Sequence, residues 1–102
     1  MRVVKTSRIR EFQDAHPKAA ANLGRWLHLV QDNAWKNIQH LRRVFPGADA
    51  VRVASGRIVT IFNIAGNDFR LVTAIHYNRG LVYVLLFLTH AEYDKDSWKE
   101  SL

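Results

Sequence analysis

The chain contains no cysteine, so neither a disulfide framework nor a thiolate metal site is open to it, and a reducing compartment such as the cytoplasm is its natural setting. It has no long apolar run. The opening Met1-Arg2-Val3-Val4-Lys5 carries charge at once, which fits neither a secretory leader nor a membrane span. Proline is confined to Pro17 and Pro46, each placed where a helix would start or stop. No repeat, linker or low-complexity segment divides the 102 residues, and that length suits a single domain, 1–102, with its own core. Acid is also in short supply: 15 Lys and Arg face 9 Asp and Glu, a net charge of +6. Such an excess implies a polyanionic partner or an acidic protein, unless it serves solubility alone. The cations run from Arg2 to Lys99, so folding must assemble any patch.

Arg2 to Lys5 reads as a short edge strand, followed by Thr6 or Ser7 as a helix cap. Ile9, Phe12 and Ala15 recur as one helix face. His16-Pro17 breaks that helix, with Pro17 as first residue of the next, where its missing N–H costs nothing. Ala20, Leu23, Leu27 and Val30 then mark an amphipathic helix ending near Asn33, with Trp26 widening its apolar stripe. Trp35, Ile38, Leu41 and Phe45 predict a third, short helical segment capped by Asn37 and stopped by Pro46-Gly47. Arg42 and Arg43 give it a basic side, either a solvated face or part of a polyanion site.

Beyond Asp49 the period changes from helical to alternating. Val51 and Val53, the Ser55-Gly56 turn and the β-branched run Ile58 to Ile64 predict two antiparallel strands. Ala65-Gly66-Asn67-Asp68 is a second turn, with Gly66 and Asn67 suited to positive φ. Phe69 to Tyr77 and Leu81 to Leu88 are further strands, joined by Asn78-Arg79-Gly80. Their near-continuous apolar character predicts strands covered on both faces or lying mid-sheet. A brief closing helix follows, starting near Thr89 or His90.

Three polar residues stand out against this background. Arg70 interrupts an apolar strand, and a buried guanidinium needs a partner: Glu92 or Asp94 from the protein, or a substrate phosphate. His90 and Tyr93 are three apart and share a face if helical. An imidazole and a phenol suit acid/base work on a hydroxyl or phosphate, though His90 could equally cap a strand end. His76 is an even number of residues from Arg70 and shares its side of the sheet. His16, His28 and His40 have no ligand spacing, so no metal site is predicted, and no Gly-rich phosphate loop precedes a helix.

Trp35-Lys36-Asn37, Val44-Phe45-Pro46, Phe62-Asn63-Ile64 with Gly66-Asn67, Phe69-Arg70-Leu71, and Thr89-His90-Ala91-Glu92-Tyr93-Asp94 occur in an order and spacing that resembles the HigB toxins of bacterial toxin–antitoxin pairs, within the RelE-like superfamily. The resemblance covers nearly the whole chain, most strongly residues 35–95. It implies a compact α+β fold, with N-terminal helices packed on a mostly antiparallel twisted sheet, that cleaves messenger RNA on the translating ribosome without a cofactor. It also implies inhibition by a HigA-type antitoxin, a helix-turn-helix protein. Arg70, His90 and Tyr93 match motif positions read as active-site residues, and Asn67 and Glu92 match motif positions as well.

One departure from the resembled pattern lies in the last strand, where relatives often carry a Lys or Arg and this chain has Leu85-Leu86. Arg42, Arg43 or Arg79 could supply the missing cation. If alternation holds, Leu85 faces the site with Tyr83 and Phe87, while Val84, Leu86 and Leu88 face the helices. The reaction that follows is attack of the RNA 2′-hydroxyl on the adjacent phosphate, with His90 moving a proton, Arg70 holding phosphorane charge and Tyr93 donating or stacking. The rival reading is a non-enzymatic binder that occupies RNA, the ribosome or a protein target such as gyrase.

Overall fold

A computed structural model describes all of residues 1–102. Its order is β1 (Arg2–Val4), α1 (Thr6–Ala15), a 3-10 turn (Pro17–Ala19), α2 (Ala20–Gln31), α3 (Ile38–Leu41), β2 (Asp49–Arg52), β3 (Ile58–Ile64), β4 (Phe69–His76), a 3-10 turn (Tyr77–Arg79), β5 (Leu81–Thr89), α4 (His90–Asp94) and a final 3-10 turn (Ser97–Ser101). The strands form one sheet in the order β1-β5-β4-β3-β2. β2, β3, β4 and β5 pair antiparallel, and β1 pairs parallel with β5. The fold is therefore α+β, with the N-terminal helices laid on a mostly antiparallel sheet.

The predicted stripe of α2 is its buried side. Leu23, Trp26 and Val30 enter the main core with Ile9 of α1 and with Phe62, Ile64, Leu71, Val82 and Val84 of the sheet. Trp26 meets Phe62 edge-on at 5.4 Å between ring centroids, a contact that adds to the area both rings bury. Truncating Phe62 to Ala would cost about 3–5 kcal/mol, the usual range for a buried aromatic. The opposite sheet face has a core of its own: Val53, Val59, Ile61 and Val72 pack beneath Trp98 of the last turn. That second cover explains why the central strands are apolar on both faces, and why the C-terminal segment is held against the sheet.

Several local expectations hold, and others need correction. Asn37 caps α3, its side chain accepting from the His40 amide at 2.9 Å, and Pro17 opens the turn before α2. Thr6 and Ser7, by contrast, lie inside α1, whose N-cap is Lys5 at φ 63 with no side-chain bond. Ala15 is exposed rather than on the buried face. In the β3–β4 turn the positive φ falls on Ala65 and Gly66, not on Asn67.

The largest correction concerns β5. Val72 pairs with Leu86 but Thr73 pairs with Val84, so Leu85 is the extra residue of a β-bulge. A bulge advances one strand by a residue and reverses its alternation. Leu85, Leu86 and Leu88 accordingly all pack on the Trp98 side, while Phe87 joins the helix-side core. The alternation expected for Phe87, Leu86 and Leu88 is thus inverted; that for Leu85 and Val84 stands.

Candidate functional site

Arg70 lies at the start of β4, on the Trp98 side of the sheet, and is only 9% exposed. Its guanidinium has no carboxylate partner. Nη1 donates to the carbonyls of Asn67 and Phe69, each at 3.1 Å, and Nη2 lies 3.2 Å from His90 Nδ1. Cζ sits 5.6 Å from the centroid of the Tyr93 ring. Neither Glu92 nor Asp94 meets this cation, because both are engaged elsewhere.

Glu92 closes a capping box on α4: its Oε1 accepts from the Thr89 amide at 2.9 Å, and its own amide donates to Thr89 Oγ1 at 3.2 Å. The Thr89 amide, above all, holds the Glu92 carboxyl below the usual carboxylate range; burial opposes it, and the Thr89 side chain and the charges of His16 and Lys95 assist. The geometry gives Glu92 local work, the fixing of a helix that starts where β5 stops. A bond from the His90 amide to the Asp68 carbonyl at 2.9 Å ties the same helix to the β3–β4 turn. His90 is thereby placed over Arg70.

The imidazole of His90 is bonded on both sides. Nε2 is 3.0 Å from Asp94 Oδ2, and Nδ1 is 3.1 Å from the Asn67 carbonyl as well as 3.2 Å from Arg70 Nη2. Because a guanidinium only donates, the neutral ring that suits this set carries its proton on Nε2, toward Asp94, and accepts from Arg70 at Nδ1. The protonated ring has a partner too, since Nδ1–H can donate to Asn67. That second arrangement requires Arg70 Nη2, itself only a donor, to move aside, while the ring need not turn.

Tyr93 stacks on Trp98, with centroids 5.3 Å apart and planes 22° from parallel, and its carbonyl accepts from Trp98 Nε1 at 3.0 Å. Burial raises the phenol's pKa, as does the negative charge of Asp49, with Lys99 and Arg70 opposing. The hydroxyl thus stays protonated near neutrality, in the state that donates.

The remaining candidates disperse. Asn67 contributes its backbone carbonyl to the cluster. His76 shares the Arg70 face but lies at the far end of β4, edge-on to Tyr83 at 5.2 Å, and Arg79 lies just beyond it in the β4–β5 turn. Arg42 is committed to the chain, donating through Nε to the Ala48 carbonyl at 2.9 Å and pairing with Asp49 at 3.5 Å. Arg43 is exposed on the loop after α3. Of the other histidines, His16 packs against Phe69 and Phe87, and His28 pairs with Asp32.

Two residues near the cluster were not anticipated. Asn63 is the register partner of Arg70 on β3 and is exposed. Gly47 admits it, since a Cβ there would come within 2.7 Å of the Asn63 side-chain nitrogen. The signal was present in the sequence as a polar residue inside Phe62-Asn63-Ile64, the same anomaly that singled out Arg70. Lys99 is the second: it pairs with Asp96 at 3.1 Å and sits 5.8 Å from the Trp98 ring centroid, in a tail too short for a pattern.

A sheet with helices on one face and a histidine, arginine and tyrosine gathered at one end of the other defines a small α+β body of the RelE-like class. Residues 19–96 match the family model described as HigB_toxin, RelE-like toxic component of a toxin-antitoxin system. The chain belongs to this family. It is also 23% identical over 94 residues to the "mRNA interferase toxin HigB" of Escherichia coli (strain K12), covering 92% of this chain and 88% of that relative. The proteins named "mRNA interferase HigB" in Escherichia coli O157:H7 and Shigella flexneri match with the same identity and coverage.

Proposed function

We propose that the chain is a single-domain messenger-RNA endoribonuclease that acts on the translating ribosome in the cytoplasm and is neutralised by a HigA-type antitoxin. The name mRNA interferase carried by its relatives supports the substrate. The observation that carries the chemistry is Arg70, a nearly buried cation whose protein partners are two carbonyls and one imidazole. A phosphate is the ligand whose charge such a cation still lacks.

The reaction needs no group beyond the RNA and the side chains. The 2′-oxygen forms a bond to the adjacent phosphorus as it loses its proton, and the bond from phosphorus to the 5′-oxygen breaks, leaving a cyclic phosphate and a 5′-hydroxyl. Arg70 balances the charge that grows on the phosphorane, where fixed donors act most strongly. When Arg70 Nη2 turns to the phosphate, His90 Nδ1 loses its donor and becomes free to take a proton. Tyr93, kept as a phenol, supplies a proton or hydrogen bond, and its ring offers a stacking face to an unpaired base. Asn63 and Asn67 border the phosphate position, and Glu92 acts through α4.

The test is primer extension on a translated message in a purified translation system, with wild type, Arg70→Ala and His90→Ala. Cleavage by wild type and its loss in both folded variants supports the nuclease. Folded variants that still arrest translation at wild-type potency would establish a binder instead.

A further inference from the structure

The Trp98 side of the sheet has a second polar feature, well away from the Arg70 cluster. Arg57, Ala74, His76, Tyr83 and Leu85 line an open concavity of about 240 Å³. Arg57 is exposed after the β2–β3 turn, and no acidic side chain pairs with it. The His76 imidazole and the Tyr83 ring are in edge-to-face contact, 5.2 Å between centroids and 70° between planes, so no parallel histidine ring is stacked on the half-buried phenol. Ala74, opposite Tyr83 in the register, contributes no side chain large enough to fill the space.

A cation, an imidazole and an aromatic face around a shallow concavity are the parts that hold single-stranded nucleic acid: the ring stacks a base and the cation meets the backbone. The register places Ala74 and His76 on the same sheet face as Arg70, four and six residues further along β4, roughly 13–20 Å at the rise of a strand. We infer that this concavity is a second RNA subsite, in which Tyr83 stacks a base and Arg57 and His76 engage its phosphates. The inference rests on the nuclease reading for the identity of the polymer. The bound strand is either the message beyond its cut or ribosomal RNA. A protein partner is less well matched, because the lining offers little continuous apolar surface beyond Leu85.

The experiment uses the full chain and a fluorescein-labelled, 2′-O-methyl single strand of about eight nucleotides, within the site sizes such grooves span. This strand cannot be cut, so binding is read whether or not the protein is a nuclease. Arg57→Ala and Tyr83→Leu should each bind it about tenfold more weakly, the loss expected for one stacked base or one phosphate contact, while Tyr83→Phe keeps the ring and binds as wild type. In the translation system the same two variants should need more message-programmed ribosome for half-maximal cleavage, with kcat unchanged. If wild type ignores the free strand but the two variants lose affinity for ribosomes without message, the bound strand is ribosomal RNA and the subsite stands. Variants that match wild type on both the strand and the ribosome overturn it, as does Tyr83→Phe failing alongside Tyr83→Leu. Loss of antitoxin binding alone would also overturn it, in favour of a protein contact.

Discussion

Arg70 Nη2 lies 3.2 Å from His90 Nδ1, so the residue suited to hold phosphate charge also sets the protonation pattern of the residue suited to move protons. Asp94 on Nε2 and the Asn67 carbonyl near Nδ1 complete the arrangement. On the proposed nuclease reading, that one contact couples substrate charge to proton transfer: a phosphate that draws Arg70 away would uncover the Nδ1 lone pair when a base is needed.

That coupling makes Arg70→Lys more damaging than a charge count suggests. An ammonium keeps the charge but not the planar fork that meets two carbonyls and an imidazole at once. Cleavage by Arg70→Lys should fall about 10²-fold, the loss typical of removing one donor aimed at developing charge, and His90→Ala should fall at least as far. The measurement is single-turnover cleavage on programmed ribosomes, with circular dichroism melts to establish folding. Near-wild-type rates for Arg70→Lys would remove the guanidinium from the chemistry.

The elements around this contact were legible because they rest on local chemistry. Pro17 at a helix start, Asn37 as a cap and the β-branched run at Ile58–Ile64 each act within a few residues of chain. Arg70 was legible as an anomaly, a charge in an apolar strand. Its partners were not, since the Asn67 and Phe69 carbonyls are backbone groups and carry no residue signature. Nor was the bulge at Leu85 visible, because the run from Leu81 to Leu88 is apolar on both faces and leaves no alternation to interrupt. Arg42 looked available for a phosphate until the fold turned it onto the Ala48 carbonyl and Asp49.

Tyr93 combines a hydroxyl with a stacked ring, and two substitutions separate them. Tyr93→Phe keeps the stack on Trp98 and the contact with Arg70, so it should fold and hold ribosomes as wild type does. If the phenol donates in the transition state, kcat should drop by about 10²-fold, the lower end for a general acid. Tyr93→Ala should also lose about 0.5–1.5 kcal/mol of aromatic stacking, and more through lost burial. Tyr93→Phe with an unchanged kcat would leave Tyr93 a stacking role alone.

The capping box gives a stability prediction with a definite sign. The carboxyl of Glu92 is held below its ordinary value of 4.5 by the Thr89 amide, so its folded pKa lies under its unfolded one. Its contribution is complete above the unfolded value and is lost as pH falls from there through the lower folded value. Glu92→Gln can still accept from the Thr89 amide but carries no charge. Wild type should therefore melt above Glu92→Gln at neutral pH, and the two melting curves should converge in acid below the carboxylate range. A gap that persists at low pH would show that the charge contributes nothing.

Leu85 tests whether the bulge leaves room for a cation on the face that carries both polar sites. The side chain is half-buried and lines the concavity with Arg57 and His76, so an arginine there can lay its stem on Leu86 and Val72 while its head reaches water. Leu85→Arg should fold. Burying an unpaired guanidinium would instead cost several kcal/mol, and a variant that unfolds would mean the side chain cannot leave the Trp98 core. Once folded, the variant adds a phosphate contact beside Tyr83 without touching Arg70 or His90. Its affinity for a single strand should rise at low salt, and its log–log salt slope should steepen by roughly 0.7, the increment for one more phosphate neutralised on single-stranded nucleic acid. Cleavage at saturating ribosomes should stay unchanged. A faster saturating rate would place Leu85 beside the scissile phosphate rather than beside a distant one, since a cation that only binds RNA lowers the concentration needed and not the barrier.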